Sequence, residues 1–406
     1  MKIAFVSYEY PPDTGKGGIG TYINQIAAAL TGKNWEIHIF SGTFGESYHQ
    51  RQLSCNIYRI KCSSPLDFRE KVVEIFSAEH ALKGFDLIES PEIHGNAWEI
   101  KKKFPSIPLV VRLHAGNYMV ENLKKRYVPL NAKLRFFAGA LKKLKWDLGY
   151  WRKYNRNRDP DFQFTILADG ITAPSVAMKN WAVNNWHIEQ QKITVIPNIF
   201  VPSAALLTIP VRNDYNINKI IFFGRLNVLK GLVNATRAMV LILREHPDWH
   251  FTVIGDDGPG AYGNKSMRQW MQQRLKLFSN RVSFFNGVNY DDLPAAITDS
   301  SIVVLPSLFE SFSYTCIEAM AAGKAVVGSN NAGMVDIIQN EKNGLLVNPE
   351  NYREIYKAIK KLIIDPSLRH RLSLEARATA SNSFTRDTLE MSMEYYRQIS
   401  QGVVHG

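Results

Sequence analysis

Cysteine is scarce. Cys55, Cys62 and Cys316 are the three in 406 residues, and no two form a C-x-x-C pair. Three thiols cannot all pair within the chain, which argues against a disulfide framework and for reduced thiols in a cytosolic protein. The histidines are scattered without H-x3-H spacing, so no zinc cluster is expected. Long apolar runs are lacking too. The most apolar stretch, "ITVIPNIFVPSAALLTIPV" at 193–211, carries Pro197, Pro202 and Pro210 and makes a poor membrane-spanning helix. After Met1-Lys2 the run "IAFV" is too short for a secretory leader and leads into Pro11-Pro12. Neither low-complexity tracts nor short-period repeats occur. Acid is almost missing from one segment. Residues 122–158 hold twelve Lys or Arg against the single acid Asp147, a net of +11 within a chain total of +12.

What is present is an ordinary globular composition, 45% hydrophobic and 21% charged, which argues against disorder. At this length two domains are expected. Short β-rich runs alternate with amphipathic stretches throughout. The first half offers "KIAFVS" (2–7), "EIHIF" (36–40), "IYRIKC" (57–62), "DLIES" (86–90), "PLVVRLH" (108–114), "GITAPS" (170–175) and "ITVIPN" (193–198). The second offers "KIIFFG" (219–224), "HFTVIG" (250–255), "RVSFFNG" (281–287), "SIVVLPS" (301–307), "KAVVGS" (324–329) and "GLLVNP" (344–349). Strands without strict alternation, separated by helices, imply parallel sheets covered on both faces. Two such sets divided near residue 200 predict two doubly wound α/β domains across a cleft. The expected boundaries are 1–200, a linker at 201–212, 213–383, and a final helical segment at 384–406.

"GKGGIG" at 15–20 satisfies G-x-G-x-x-G, the dinucleotide fingerprint. That fingerprint needs its first glycine directly after strand one and an acid closing strand two. Here "YEYPPDT" intervenes, and Glu36 opens the second strand instead of closing it. The string therefore reads as a flexible glycine loop before a helix, where Gly17 and Gly18 can bring backbone N–H groups to an anion. A long surface turn without ligand is the alternative.

In the second half "KIIFFG" runs into "GRLNVLKG", which places Arg225 and Lys230 beyond the carboxyl end of a parallel strand. Ligands bind at that edge of open α/β sheets, and two cations there suit a diphosphate. Taken alone, both could equally be surface charges. In "LPSLFESFSYTCIEAMAAGKAVVGS", Glu310 and Glu318 stand at E-x7-E spacing, between a strand and a helix. Two carboxylates beside a diphosphate repel it unless they grip hydroxyls, so a sugar nucleotide is a sensible ligand. Amides of Tyr314 and Thr315 at the helix start can take phosphate oxygens.

The ordered set "PPDTGKGGIGTY", "VVRLHAGNY", "ITAPS", "VIPN", "FFGRLNVLKG", "TVIGDDG", "FNGV" and the E-x7-E segment with "EAMAAGKAVVGSNNAG" resembles the retaining GT-B glycosyltransferases of family four. The resemblance covers nearly the full length. It implies two Rossmann-like domains, with the last helix crossing back to the first. It also implies roles. Gly17 and Gly18 approach the donor phosphates, and His114 touches the donor sugar, with a packed strand-end histidine as the alternative. Arg225 and Lys230 hold the diphosphate as it leaves. Glu310 contacts the sugar hydroxyls and Glu318 the ribose, while Ser311, Phe312, Ser313, Tyr314 and Thr315 complete the donor set. The chain departs from the family where "EGFG" becomes Glu310-Ser311-Phe312-Ser313, where "PNGVD" becomes "PNIFV", and where no acid precedes Lys230.

The expected enzyme is a metal-independent retaining hexosyltransferase without a cofactor. Its best donor guess is UDP-glucose, with GDP-mannose also allowed, and its acceptor is a glycan or lipid-linked sugar of polysaccharide or exopolysaccharide synthesis. A sugar-nucleotide epimerase of the same fold is one alternative; a non-catalytic membrane- or polyanion-binding protein is another. Asp159-Pro160-Asp161 matches the metal-binding D-x-D but reads as a helix-terminating turn. In the basic segment Leu130, Leu134, Phe137, Leu141, Leu144, Leu148 and Trp151 recur at helical spacing. The helix either packs on the first domain with a solvated basic face, docks on an anionic membrane, or binds an acidic polysaccharide; no nucleic-acid module is seen. The expected location is the cytoplasm, with peripheral contact at the inner face of the plasma membrane as a further option.

Overall fold

The computed structural model describes residues 1–15, 17–52, 54–126, 128, 130–143, 154–211, 217–258 and 265–402. The chain forms two compact units. Unit 1 is Met1–Val120, Asn155–Val201 and Ser383–Gly406; unit 2 is Glu121–Tyr154 and Pro202–Asn382. Most of the basic segment, expected within a first domain of residues 1–200, thus groups with unit 2.

Unit 1 contains β1 (Lys2–Val6), β2 (Glu36–Thr43), β3 (Tyr48–Gln52), β4 (Cys55–Lys61), β5 (Leu87–Pro91), β6 (Leu109–Arg112), β7 (Gly170–Ala173) and β8 (Ile193–Val195). They lie in the order β3-β4-β2-β1-β5-β6-β7-β8, parallel except for the β3–β4 pair. Strand order reverses between β1 and β5, the position where such sheets open a crevice at their carboxyl edge. Helices cover the sheet because their sequences begin and pattern correctly. Pro65–Lys83, for example, starts with Ser64 accepting from the Asp67 N–H at 3.2 Å and Pro65 at its first position. It buries Phe68, Val72 and Phe76, one stripe at four-residue spacing. The last helix, Arg386–Ser400, belongs to this unit: Tyr396 donates to the buried Glu89 of β5, and Tyr395 to the Ile171 carbonyl of β7 at 3.3 Å. Gly170 lets it approach, since a Cβ there would stand 2.6 Å from the Tyr395 hydroxyl.

Unit 2 contains β9 (Lys219–Phe223), β10 (His250–Ile254), β11 (Val282–Phe285), β12 (Ile302–Leu305), β13 (Ala325–Ser329) and β14 (Leu345–Val347). Their order is β11-β10-β9-β12-β13-β14, all parallel, with the reversal between β9 and β12. Helix Leu232–Glu245 buries Leu232, Ala235, Met239, Ile242 and Leu243 beside this sheet's core. No helix among the described residues is long and apolar enough to cross a membrane.

Candidate functional site

In unit 2 the reversal point sets two loops side by side, one after β9 and one after β12. The β9 loop carries Arg225 and Lys230. Asn227 begins its short turn Val228–Lys230, its side chain accepting from the Lys230 N–H at 3.2 Å. An asparagine side chain caps this turn as a carboxylate could. The β12 loop carries Glu310. The Leu308 N–H donates to the Leu229 carbonyl at 2.7 Å and so ties the two loops together. Lys230 Nζ then lies 2.7 Å from both Glu310 carboxylate oxygens, with the two side chains 20% and 16% exposed. This half-buried pair is the charged centre of the unit. Arg225 stays exposed and makes no ion pair among the described residues.

Ser313 is the cap of helix Tyr314–Ala321, accepting from the Cys316 N–H at 3.3 Å and sharing a 3.0 Å contact with the Thr315 hydroxyl. Serine in place of the expected glycine therefore closes the helix start through Cys316 and leaves the Tyr314 and Thr315 amides without that cap. Glu318 lies further along the helix, buried, and burial pushes its carboxyl up to about 7. Phe312 is also buried and meets Tyr314 edge-on. Two residues went unnoticed in the sequence. Gly333 donates to the Glu310 carbonyl at 2.7 Å, and a Cβ there would stand 2.3 Å from the Ser311 carbonyl oxygen. Asn331 donates to the Leu308 carbonyl at 2.8 Å. Both back the Glu310 loop, and the quoted "SNNAG" was the available signal.

In unit 1 residues 7–14 separate the glycine loop from β1, and Gly17 begins helix Gly18–Thr31 without a side-chain cap. Its lead-in is held from beneath. Buried Arg59 of β4 donates to the carbonyls of Tyr10 at 2.7 Å and Pro11 at 2.5 Å, and the Thr14 hydroxyl donates to Gly42 O at 3.1 Å. β2 closes on Thr43 with no acid, while Glu36 at its start is bonded to His38 at 2.9 Å. Among the described residues, no glycine directly follows β1 and no acid closes β2. Lys16 lies outside the described residues.

His114 follows β6 and is buried. Desolvation first, then the Arg112 cation, push its pKa down to about 3, so the ring is neutral. The Tyr22 ring from helix Gly18–Thr31 stands edge-on at 5.6 Å, and the Tyr22 hydroxyl meets that of Tyr396 at 3.3 Å. The packed-histidine reading and the sugar-contact reading share this geometry. Asp159-Pro160-Asp161 ends the short turn Arg156–Arg158, the Asp159 N–H donating to the Arg156 carbonyl at 3.0 Å, and at the same point starts a helix. Asp159 caps Pro160–Thr165 by accepting from the Asp161 N–H at 3.0 Å and from the Trp186 indole at 3.0 Å. Asp-Pro is an N-cap followed by the first helical position, and the preceding basic stretch had obscured it. The Asp159 carboxylate is engaged within the fold.

The basic segment contributes helices Asn117–Arg126 and Leu130–Lys142, on which Leu130, Leu134, Phe136 and Leu141 are exposed. Leu144, Leu148 and Trp151 of the expected stripe, with Trp146 and Tyr150, lie outside the described residues.

A family model described as Glycosyltransferase Family 4 matches residues 16–203, and one described as Glycosyl transferases group 1 matches residues 211–379. The chain belongs to the group 1, family 4 glycosyltransferases. Across this glycosyltransferase's length an uncharacterized glycosyltransferase of Methanocaldococcus jannaschii is 23% identical, covering 96% of each chain. Sucrose-phosphate synthase of Thermosynechococcus elongatus superposes with a TM-score of 0.73 at 21% identity, over 98% of each chain. HepE of Anabaena, crystallised with UDP-glucose, superposes with a TM-score of 0.67 at 17% identity, over 98% of this chain and 99% of that one. The fold is accordingly GT-B, with two Rossmann-like units.

Proposed function

We propose that this glycosyltransferase moves a hexose, glucose from UDP-glucose by preference, onto a glycan or lipid-linked acceptor with retention at the anomeric carbon. The observation that carries the reading is the Lys230–Glu310 pair at the β9/β12 reversal. It sets a cation for a diphosphate beside a carboxylate for sugar hydroxyls, 2.7 Å apart. On binding, Lys230 and Arg225 turn to the diphosphate, aided by the glycine-loop amides of Gly17 and Gly18. Glu310 turns to the sugar hydroxyls and Glu318 to the ribose. The two cations supply the charge that a metal would otherwise bring to the leaving group. The bond from the anomeric carbon to the UDP oxygen breaks through an oxocarbenium-like state, and the neutral His114 is assigned to the donor sugar. The acceptor oxygen attacks the same face, and its proton passes to the departing phosphate. That a neighbour of this fold was crystallised with UDP-glucose supports the donor choice.

Thermal shift with UDP, GDP, ADP and NAD tests the donor: stabilisation by UDP is expected, and stabilisation by NAD alone overturns the reading. Glu318 adds a pH signature. Its carboxyl is raised in the free protein to about 7, and ribose hydroxyls donate to the ionised form. UDP affinity should therefore rise from about pH 6 to about pH 8, roughly tenfold for each pKa unit that binding removes. Glu318→Gln should flatten that component in calorimetry, leaving only the titration of UDP itself. An unchanged slope sinks the ribose role.

For the acceptor side, the exposed leucines of Leu130–Lys142 alternate with Lys133, Arg135 and Lys142, a composition suited to an anionic lipid surface. Each cation near such a surface contributes about 1 kcal/mol. Flotation with phosphatidylglycerol vesicles should carry the protein upward, and Lys133→Glu with Arg135→Glu should leave it at the bottom. Equal flotation with neutral vesicles refutes the docking.

A further inference from the structure

Two buried carboxylates of unit 1 have no part in the reading above, and both converge on the loop that carries His114. Glu92 follows β5, next to the β1/β5 reversal. Its carboxylate accepts from the His114 N–H at 2.9 Å and from the Ala115 N–H at 2.8 Å, with no exposed surface of its own. Asp161, in the first turn of Pro160–Thr165, is 2% exposed and accepts from the His94 N–H at 3.1 Å. The Asn117 and Tyr118 amides, which open helix Asn117–Arg126, favour its ionised form, a negative charge at a helix N-terminus. Between the two carboxylates lies Gly116, where a Cβ would stand 2.5 Å from Asp161 Oδ2. Only a glycine lets the loop pass that close.

Burying two acids this near each other is costly. Desolvation and their mutual repulsion raise Glu92 to about 8, and desolvation with Asp159 raises Asp161 to about 6. Packing alone would be served better by apolar side chains of similar volume. What the carboxylates achieve is directional. They occupy the N–H groups of His114 and Ala115 and charge-stabilise the helix start behind them. The His114 and Ala115 amides are then satisfied from within the fold and are not offered to a phosphate.

We propose that Glu92 and Asp161 are positioning residues that fix the 114–118 loop, holding His114 against the donor sugar while leaving nucleotide binding to other loops. The proposal rests on the reading of His114 given above, and the experiment separates the two. Acceptor-independent hydrolysis of UDP-glucose is followed by UDP release, with UDP affinity measured in parallel. In Glu92→Gln and Asp161→Asn an amide –NH2 replaces one accepting oxygen and must face N–H donors. A buried N–H left without an acceptor costs about 1–3 kcal/mol, so kcat should fall roughly 5- to 150-fold. KM and UDP affinity should stay within about threefold, because the interaction acts in the transition state and not on the nucleotide. A general loss of packing would lower both together. Gly116→Ala leaves both carboxyl groups in place, pushes on Asp161 Oδ2, and should reproduce the kcat loss; it carries the test should either acid variant fail to fold. Wild-type kcat in folded Glu92→Gln or Gly116→Ala overturns the proposal. Wild-type kcat in His114→Ala instead overturns the reading of His114, and the proposal with it.

Discussion

Lys230→Ala is expected to release UDP from UDP-glucose roughly 10- to 150-fold more slowly than the wild type, with the fold intact. The magnitude follows from the charge-assisted contact to the leaving diphosphate, about 1.5–3 kcal/mol, converted to a rate. In the free protein Lys230 is held 2.7 Å from both oxygens of Glu310, so the site rests in a self-neutralised state. The diphosphate must displace the carboxylate from the ammonium, and the sugar hydroxyls must then compensate Glu310. This exchange predicts opposite signs for the two partners. Glu310→Gln removes the competitor and should bind free UDP more tightly, yet turn over UDP-glucose more slowly because its sugar contact weakens. Lys230→Arg should recover only part of the rate, since a planar guanidinium cannot occupy the point position of an ammonium. Near-wild-type turnover in Lys230→Ala removes the lysine from the mechanism. Weaker UDP binding in Glu310→Gln argues against the exchange.

The visible parts of this molecule in its sequence were those written in local pattern. All six strands of unit 2 fall on apolar runs, five because buried parallel strands are continuously apolar and the half-exposed edge strand β11 through Val282, Phe284 and Phe285. In unit 1 the missed strand is β3, Tyr48–Gln52, whose sequence YHQRQ is polar and almost wholly exposed. It pairs with β4 through the backbone and one stacked His49–Tyr58 ring pair, and carries no apolar signal. Lys230, Glu310 and Glu318 were legible because each follows a strand end at a set spacing. The supports of the site were not. Glu92 accepts from amides 22 and 23 positions away, and Asp161 from one 67 positions away. In sequence they are an acid in a loop and half of a D-x-D. Arg59 likewise sits mid-strand, with nothing local to say that its guanidinium holds the turn at Tyr10 and Pro11. Burial and long-range partners assign such residues, and neither is a property of a short string.

Gly231→Ala should be the most destabilising of the conservative changes considered, by about 3 kcal/mol. Gly231 has φ of +69°, closing the turn that presents Lys230, and its N–H donates to the Val228 carbonyl at 3.0 Å. An L-residue there carries roughly 1–2 kcal/mol of backbone strain. The larger part is contact. A Cβ would stand 1.8 Å from the carbonyl oxygen of Pro306, at the end of β12, and a backbone carbonyl has no rotamer by which to retreat. The β9 and β12 loops can close on each other only because no side chain intervenes at this point. That closure brings Leu308 N–H to Leu229 O and Glu310 to Lys230. Gly84 provides the comparison: its φ is +67°, but nothing lies within 4 Å of its Cβ direction, so Gly84→Ala isolates the strain alone. For a unit of this size Gly231→Ala should lower the melting transition by roughly 6–12 °C, and Gly84→Ala by only a few degrees. UDP-glucose turnover should fall in the first even where it is still folded, because the loop that holds Lys230 must move away from Pro306. Equal losses of stability in the two variants would show that the approach to Pro306 is not what shapes the site.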